Sequence, residues 1–245
     1  MPFPATSFPA RLVAARTLSP SVRELTLERV DGQFDFDPGQ WVNVFVEVDG
    51  GELKRSYSIA SPPDGSGRFD LAVTRVSGGP MSETLHRLQE GETVRAVGPS
   101  GLFTRAANDV RPALFVGTGT GVTPLRSMIM AALAVGSATP FAVLFGFRHE
   151  DDILYRDDLD AWRAAGADVS VTLSQPHPGW AGRSGYVQEH LADKLAALPG
   201  ADGASPPTDV QLYICGLEKM VTAVRDRAKN ELGVGRKQIH QERFD

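Results

Sequence analysis

The run from Gly117 to Pro124 has the residue types and spacing of an anion-binding loop. It follows four apolar residues directly and opens a stretch of helical apolar spacing. Its alternate glycines lack the Cβ atoms that would hold a ligand away from the backbone, and a helix N-terminus attracts anions. We expect Thr123 to cap this helix, with Pro124 in its first turn. Because Val122 replaces the third glycine of GxGxxG, the run predicts a phosphate loop of another kind or a tight turn packed through glycine.

Other side chains capable of chemistry lie in the segment Arg55–Ser61, at Cys215, and near the end of the chain at Glu242 and Phe244. An edge strand with an arginine and hydroxyls also fits solvated surface, and a lone cysteine is often a small buried hydrophobe. Glu242 fits a solvated charge and Phe244 a core residue. The histidines show no ligand spacing, so we expect no metal site: His86, His149, His177, His190 and His240.

The pattern of apolar residues, and with it the secondary structure predicted to position these side chains, changes near residue 110. From about residue 8 to 107, apolar residues alternate with polar ones in short runs separated by turn residues, which predicts an antiparallel barrel or sandwich. One short helix is expected from Met81 to Leu88. Beyond Pro112, continuous apolar runs are separated by segments of helical spacing, the last of which is expected to end at Gly233. This alternation predicts a parallel α/β sheet and hence two domains, residues 1–109 and 110–245.

The composition excludes several classes of protein. The chain has 245 residues, of which 42% are hydrophobic and 22% charged, as in ordinary globular proteins. A net charge of −5 predicts no nucleic-acid partner. A single cysteine excludes an intramolecular disulfide and a four-cysteine metal site. The sequence shows no long apolar run and no signal-peptide pattern, so we expect a cytoplasmic protein without an integral membrane segment.

Taken in order along the chain, these segments resemble the motifs of the ferredoxin–NADP reductase superfamily. Arg55–Ser61 is similar to its flavin motif RxYSxxS at every specified position, and Gly117–Pro124 matches its nucleotide loop GTGTGVTP. The other marks are its PGQ strand, its second flavin segment, its GPxGxF turn and its C-terminal residues: Pro38–Val42, Gly78–Ser82, Gly98–Phe103, Cys215–Gly216 and Glu242–Phe244. The resemblance implies an antiparallel β-barrel flavin domain followed by an α/β parallel-sheet nucleotide domain.

For the flavin, the resemblance implies a role for each residue of the first motif. Arg55 would bind the pyrophosphate, since its planar guanidinium suits phosphate oxygens. Tyr57 would offer a flat face to the isoalloxazine ring, and Ser58 would hydrogen-bond N5, where hydride arrives. Ser56 belongs to the same motif, and Ile59 would contribute backbone contacts.

The second flavin segment favours FAD over FMN. Gly79, Met81 and Ser82 could present backbone N–H groups to a second phosphate at the N-terminus of a short helix that begins at Ser82. An ordinary helix capped by Ser82 is the alternative.

For NAD(P)H, the resemblance implies binding by the loop residues Gly117, Thr118, Gly119, Thr120, Gly121 and Thr123. Cys215, followed by Gly216, would lie beside nicotinamide C4, where it positions the ring and does not attack it. Glu242 would orient the nicotinamide or handle protons, and Phe244 would cover the flavin until the nicotinamide displaces it. Many relatives with this ending stop at the aromatic residue, whereas Asp245 follows it here.

The choice between NADPH and NADH depends on the residues after the third strand of the nucleotide domain. Ser174 suits a 2′-phosphate, but Gln175 stands where NADP-specific relatives often have arginine. Arg183 or Arg148 could bind the phosphate bidentately instead. The sequence slightly favours NADPH and leaves NADH open.

The expected function is a flavin-dependent oxidoreductase that takes hydride from NAD(P)H onto FAD and passes electrons singly to a separate acceptor such as ferredoxin or flavodoxin. Its expected catalytic residues are Ser58, Cys215, Glu242 and Phe244. A docking patch for an acidic partner could include Lys54, Arg55, Arg87, Arg95 and Arg105. The alternatives are the reductase component of an oxygenase, a free-flavin or ferric reductase, and a non-autonomous electron-transfer or redox-sensing subunit.

Overall fold

The computed structural model describes residues 7–202, 206 and 208–244. The chain divides into two compact units. The first runs to Ala107 and includes Arg126–Val135, and the second consists of Asn108–Leu125 and the residues from Gly136 onward. The expected domain boundary between residues 109 and 110 stays a prediction. Asp245 lies outside the described residues.

The first unit is built on a six-stranded antiparallel sheet in the order β4-β3-β6-β1-β2-β5. Its two end strands meet through an antiparallel bridge between Ile59, just after β4, and Leu71 of β5, so the sheet closes into a barrel. Alternate side chains fill its interior, as the period of two predicts. The strands are β1 Ser7–Ser19, β2 Val22–Arg29, β3 Trp41–Val48, β4 Gly51–Ser58, β5 Arg68–Thr74 and β6 Thr93–Ser100.

The short helix of the first unit, α1, spans Pro80–Arg87 and packs Met81 and Leu85 into the barrel core. Gly79 is its N-cap residue and Pro80 occupies the first helical position, where no donor is needed. The prediction that this helix begins at Ser82 is therefore wrong. The Ser82 hydroxyl accepts the N–H of Val76 at 3.0 Å and fixes the turn before the helix.

The second unit is built on a six-stranded parallel sheet in the order β10-β9-β8-β7-β11-β12. Its four central strands are the predicted apolar runs, and the two edge strands carry too few buried apolar side chains to be predicted. The strands are β7 Ala113–Thr118, β8 Phe141–Phe147, β9 Asp168–Leu173, β10 Arg183–Ser184, β11 Gln211–Leu217 and β12 Ile239–Phe244. The helices that follow its strands along the chain are α2 Val122–Ala134, α3 Arg156–Ala164, α4 Leu191–Ala196 and α5 Glu218–Asn230, and the part of α2 from Arg126 onward belongs to the first unit. The predicted fold class is confirmed.

Two helix ends differ from the prediction. A 3₁₀ turn, Gly119–Gly121, continues directly into α2, so no extended cap residue exists at position 123. Thr123 is not the cap, and its hydroxyl donates to the carbonyl of Thr120 at 2.8 Å. Helix α5 ends at Asn230, before Gly233. In the part of the chain that the structure describes, no helix has the length and apolar character needed to cross a membrane.

Candidate functional site

The glycine loop lies at the carboxyl edge of the parallel sheet, where ligands of such sheets bind. It follows β7, a central strand between β8 and β11, and it leads into the N-terminus of α2. A Cβ atom on Gly121 would lie 2.4 Å from the carbonyl oxygen of Cys215, so the loop can approach β11 this closely only with glycine. The predicted loop residues and Cys215 are thus brought together.

The side-chain hydroxyl of Thr118 lies at the same carboxyl edge of the parallel sheet, at the end of β7. The Oγ1 atom of Thr118 is buried and has no hydrogen-bond partner in the described chain. A Cβ on Gly216 would lie 2.4 Å from this oxygen, and Gly216 has a φ of +149°. A buried hydroxyl without a partner costs free energy unless a ligand completes it. The free hydroxyl and the glycine backbone beside it therefore fit a bound nucleotide.

Cys215 lies opposite Glu242 in the register of the parallel strands β11 and β12. The thiol is fully buried, and burial, followed by the negative charge of Glu242, raises the pKa of Cys215 well above its ordinary value. The thiol is therefore neutral at physiological pH, which suits positioning and not nucleophilic attack. Phe244, on the same strand, is partly buried and pairs in register with Leu217.

The predicted flavin motif forms the end of β4. Arg55 and Ser56 are exposed, Tyr57 is partly buried against the barrel core and Ser58 is buried. Ser56 donates to the side-chain oxygen of Asn43 on β3 at 2.8 Å. Burial raises the pKa of Tyr57 to about 12, with a smaller opposing effect of Arg55, so its ring is neutral and half enclosed. The strand thus presents a cation, a flat ring and a buried hydroxyl in succession.

The second predicted flavin segment lies at the N-terminus of α1, where Met81 and Ser82 turn their side chains inward. Ser82 is hydrogen-bonded to the backbone of Val76 and Gly79. A phosphate at this helix end would therefore meet backbone N–H groups and not the serine hydroxyl.

The two arginines predicted to bind a 2′-phosphate already have protein partners. Ser174 is exposed just beyond β9. The guanidinium of Arg148 donates to the side-chain oxygen of Gln175 at 3.1 Å, whereas Arg183 forms an ion pair with Asp193 at 3.0 Å. A phosphate would displace a neutral amide from Arg148 but would compete with a carboxylate for Arg183.

The prediction that Arg105 belongs to the docking patch is wrong. Arg105 is only 4% exposed and cannot offer its charge to a partner protein. Arg95 forms an ion pair with Glu52, and its guanidinium lies 3.6 Å from the ring centre of Phe45. Lys54, Arg55 and Arg87 are exposed.

Two polar residues of α2 were not among the predicted site residues. Arg126 and Ser127 are buried and donate hydrogen bonds to the carbonyls of Ala60 and Ser61, the last two residues of the predicted flavin motif. Two adjacent polar residues within an apolar helix were the only sequence signal for them.

Two known domain families match the chain, one over the antiparallel sheet and one over the parallel sheet. The oxidoreductase FAD-binding domain matches residues 9–104, and the oxidoreductase NAD-binding domain matches residues 115–226. The chain is 57% identical to "Ferredoxin--NADP reductase B" of Sorangium cellulosum, with 98% of this chain and 99% of that protein covered. It is 28% identical to "NADH-cytochrome b5 reductase 1" of Cryptococcus neoformans, over 81% of this chain and 69% of that one.

A solved structure shows the same fold at low identity. The crystal structure of a ferredoxin NADP+ reductase from Neisseria gonorrhoeae, with bound FAD and NADP, superimposes with a TM-score of 0.82 at 17% identity. The alignment covers 98% of this chain and 99% of that chain. Matching FAD and NAD domains and a full-length relative at this identity establish the family. The chain therefore belongs to the ferredoxin–NADP reductase family, as an NAD(P)H-dependent oxidoreductase that uses FAD.

Proposed function

We propose that this protein takes hydride from NADPH and reduces a separate ferredoxin or flavodoxin, one electron at a time. The observation that carries the proposal is the 57% identity, over nearly the whole of both chains, to a relative named ferredoxin–NADP reductase. When bound, FAD accepts the hydride and releases the electrons singly. The protein itself binds both cofactors, orients their rings and excludes water from the site.

We assign FAD to residues 1–109. Arg55 binds the pyrophosphate with its exposed guanidinium, and Tyr57 packs its neutral ring against the isoalloxazine. The Ser58 hydroxyl faces N5. Backbone groups complete the site at Ser56 and Ile59 and, beside the second phosphate, at Gly79, Met81 and Ser82.

We assign NAD(P)H to residues 110–245. The backbone of the glycine loop receives the nucleotide's phosphates, and the free Thr118 hydroxyl donates to the bound nucleotide. Cys215 packs its neutral thiol beside the nicotinamide, and Glu242 orients the ring or moves a proton. Phe244 shields the flavin until the nicotinamide arrives. The other contributors are Gly117, Gly119, Thr120, Gly121, Thr123 and Gly216.

For the 2′-phosphate we propose Ser174, assisted by Arg148 or Arg183. Arg148 needs only to release the neutral Gln175 side chain, whereas Arg183 must leave the carboxylate of Asp193. We therefore expect Arg148→Ala to reduce the preference for NADPH over NADH more than Arg183→Ala does. An unchanged preference in both variants would contradict this assignment.

We propose a cytoplasmic location and a docking surface for the acidic acceptor around Lys54, Arg55 and Arg87, which are exposed. Charge attraction of this kind speeds association and weakens as salt rises. Lys54→Ala and Arg87→Ala should each slow acceptor reduction at low salt and leave the reduction of a neutral dye unchanged.

The test is an anaerobic titration of the purified protein with NADPH and, separately, NADH, followed by addition of ferredoxin or flavodoxin. We expect the flavin absorbance to bleach with NADPH and the acceptor to be reduced in single-electron steps. Bleaching without reduction of either acceptor would overturn the acceptor assignment. Loss of the flavin on gel filtration, with saturable reduction of added flavin, would instead indicate a free-flavin reductase. Failure of the isolated chain to reduce even a dye would indicate a subunit that depends on a complex.

A further inference from the structure

Two consecutive residues of α2, Arg126 and Ser127, are buried although both are polar. Arg126 is 8% exposed and Ser127 is fully buried. Both belong to the first unit, together with the barrel. Burying a guanidinium is costly unless hydrogen bonds and nearby opposite charge compensate for the water that it loses. The partners of these two side chains therefore indicate what they are for.

The two side chains bind two consecutive carbonyl oxygens. The Arg126 guanidinium donates to the carbonyl of Ala60 at 2.9 Å, and the Ser127 hydroxyl donates to the carbonyl of Ser61 at 2.7 Å. Ser58 is the last residue of β4, and Ile59 is the single residue between it and Ala60. Helix α2 thus holds the last two residues of the predicted flavin motif, Ala60 and Ser61.

The same short segment is held from the other side by the barrel. The N–H of Ala60 donates to the carbonyl of Asp70 at 2.8 Å, and the N–H of Asp70 donates to the Ser61 hydroxyl at 3.0 Å. The N–H of Ile59 donates to the carbonyl of Gln40 at 2.9 Å. Because each peptide unit is planar and rigid, fixing residues 59–61 from both sides restricts the orientation of Ser58.

The charges around this segment are balanced. Asp70 is partly buried and accepts a hydrogen bond from Thr26 at 2.7 Å. Burial and the neighbouring Glu24 raise the pKa of Asp70, whereas Thr26, Arg126 and Arg16 oppose that rise. The positive charge of Arg126 is thus near enough to Asp70 to oppose the rise in the pKa of that carboxyl group, while the hydrogen bond to the carbonyl of Ala60 orients the guanidinium.

We propose that Arg126 and Ser127 are positioning residues for the flavin, which act through the carbonyls of Ala60 and Ser61 to set Tyr57 and Ser58 against the ring. This inference rests on the proposed roles of Tyr57 and Ser58. Small misplacements of such groups have large effects on rate, so loss of either hydrogen bond affects the flavin and not only the stability of the fold.

The test compares Ser127→Ala and Arg126→Lys with the wild type and with Ser19→Ala. Ser19 is a buried serine on β1 of the same unit, and its hydroxyl has no hydrogen-bond partner among the described residues, so Ser19→Ala controls for the loss of a buried hydroxyl that does not hold residues 59–61. Three quantities are measured: the dissociation constant of FAD from the apoprotein, the visible spectrum of the bound flavin, and the rate of flavin reduction at saturating NADPH.

In Ser127→Ala we expect FAD affinity and the flavin reduction rate each to fall about tenfold, the flavin band to shift, and the KM for NADPH to stay unchanged. Ser127→Thr, which keeps the hydroxyl, should restore most of the rate. Arg126→Lys keeps the charge but loses the planar fork, so we expect an intermediate effect. Ser19→Ala should alter none of the three quantities.

The inference is overturned if Ser127→Ala lowers the unfolding midpoint yet keeps wild-type FAD affinity, spectrum and reduction rate. If Arg126→Lys does not fold, the alanine and threonine variants of Ser127 decide the matter alone. Failure of the proposed site is distinguishable, because Tyr57→Ala and Ser58→Ala would then leave the flavin's properties unchanged whatever the Ser127 variants do.

Discussion

Cys215 and Glu242 face each other across the parallel strands β11 and β12, although 26 residues separate them in the chain. Burial raises the pKa of the Cys215 thiol, and the negative charge of Glu242 adds to this rise. The pair lies at the carboxyl edge of the sheet, beside the glycine loop, because Cys215 also pairs in register with Gly117 of β7. A neutral sulfur and a carboxylate thus lie on neighbouring strands at the edge of the sheet where we propose that the nucleotide binds.

Glu242→Gln should slow reduction of the flavin by NADPH about tenfold to a hundredfold, while FAD affinity stays unchanged. The reason is that the amide keeps the size of the side chain but can neither hold nor transfer a proton at this position. Single-turnover measurements of flavin reduction check this. Glu90→Gln, an exposed carboxylate on the other unit, is the control and should behave as the wild type. A wild-type rate in Glu242→Gln would exclude a role for its charge.

The buried thiol predicts a pH dependence of stability. The pKa of Cys215 is raised in the folded protein, so the native state holds its proton to higher pH than the unfolded chain does. This contribution is fully present below the unfolded pKa of about 8.5 and is lost as the pH rises above it. We therefore expect the free energy of unfolding of the wild type to fall relative to Cys215→Ala between pH values of about 8 and 10. A constant difference, measured by urea unfolding, would show that the thiol is not the titrating group.

Gly121→Ala should weaken nucleotide binding at least about tenfold and leave FAD in place. Its Cβ would lie 2.4 Å from the carbonyl oxygen of Cys215, so the loop must move away from β11. Isothermal titration with NADP+ and the flavin content of the purified variant measure the two effects. In Gly32→Ala the new Cβ would approach no atom more closely than 3.7 Å, so this control should bind both cofactors normally. Equal nucleotide affinity in both variants would contradict the close approach at Gly121.

Tyr57→Ala should weaken FAD binding about tenfold, whereas Tyr57→Phe should change it little, because in the proposed site the flat face of Tyr57 and not its hydroxyl contacts the flavin ring. Since burial raises the pKa of Tyr57 to about 12, the side chain is neutral below that pH. FAD affinity should therefore show no titration from this group between pH values of about 7 and 10. Fluorescence titration of the apoprotein checks both statements, and a large loss of affinity in Tyr57→Phe would instead indicate a hydrogen bond from the hydroxyl.

Most of the fold was predicted from the local spacing of apolar residues. Val42, Val44 and Val46 are buried at alternate positions of β3, as the alternation predicted for the first part of the chain requires, and the four apolar residues before the glycine loop lie in β7. The edge strand β12 was not predicted as a strand because its side chains are only partly buried and do not alternate clearly. The cap assigned to Thr123 was wrong, since a 3₁₀ turn that merges into a helix has no distinct sequence pattern.

By itself the sequence predicted the two fold classes and the glycine loop, because both depend on neighbouring residues whose types and spacing are visible locally. The flavin role of Arg55–Ser61 was predicted from the resemblance to a known family and stays a proposal. Only the tertiary structure placed Glu242 opposite Cys215, buried Arg105, and brought Arg126 and Ser127 to the carbonyls of Ala60 and Ser61. These relationships join residues far apart in the chain. They depend on strand order and helix packing, which follow from the burial of the whole apolar surface and not from any short segment.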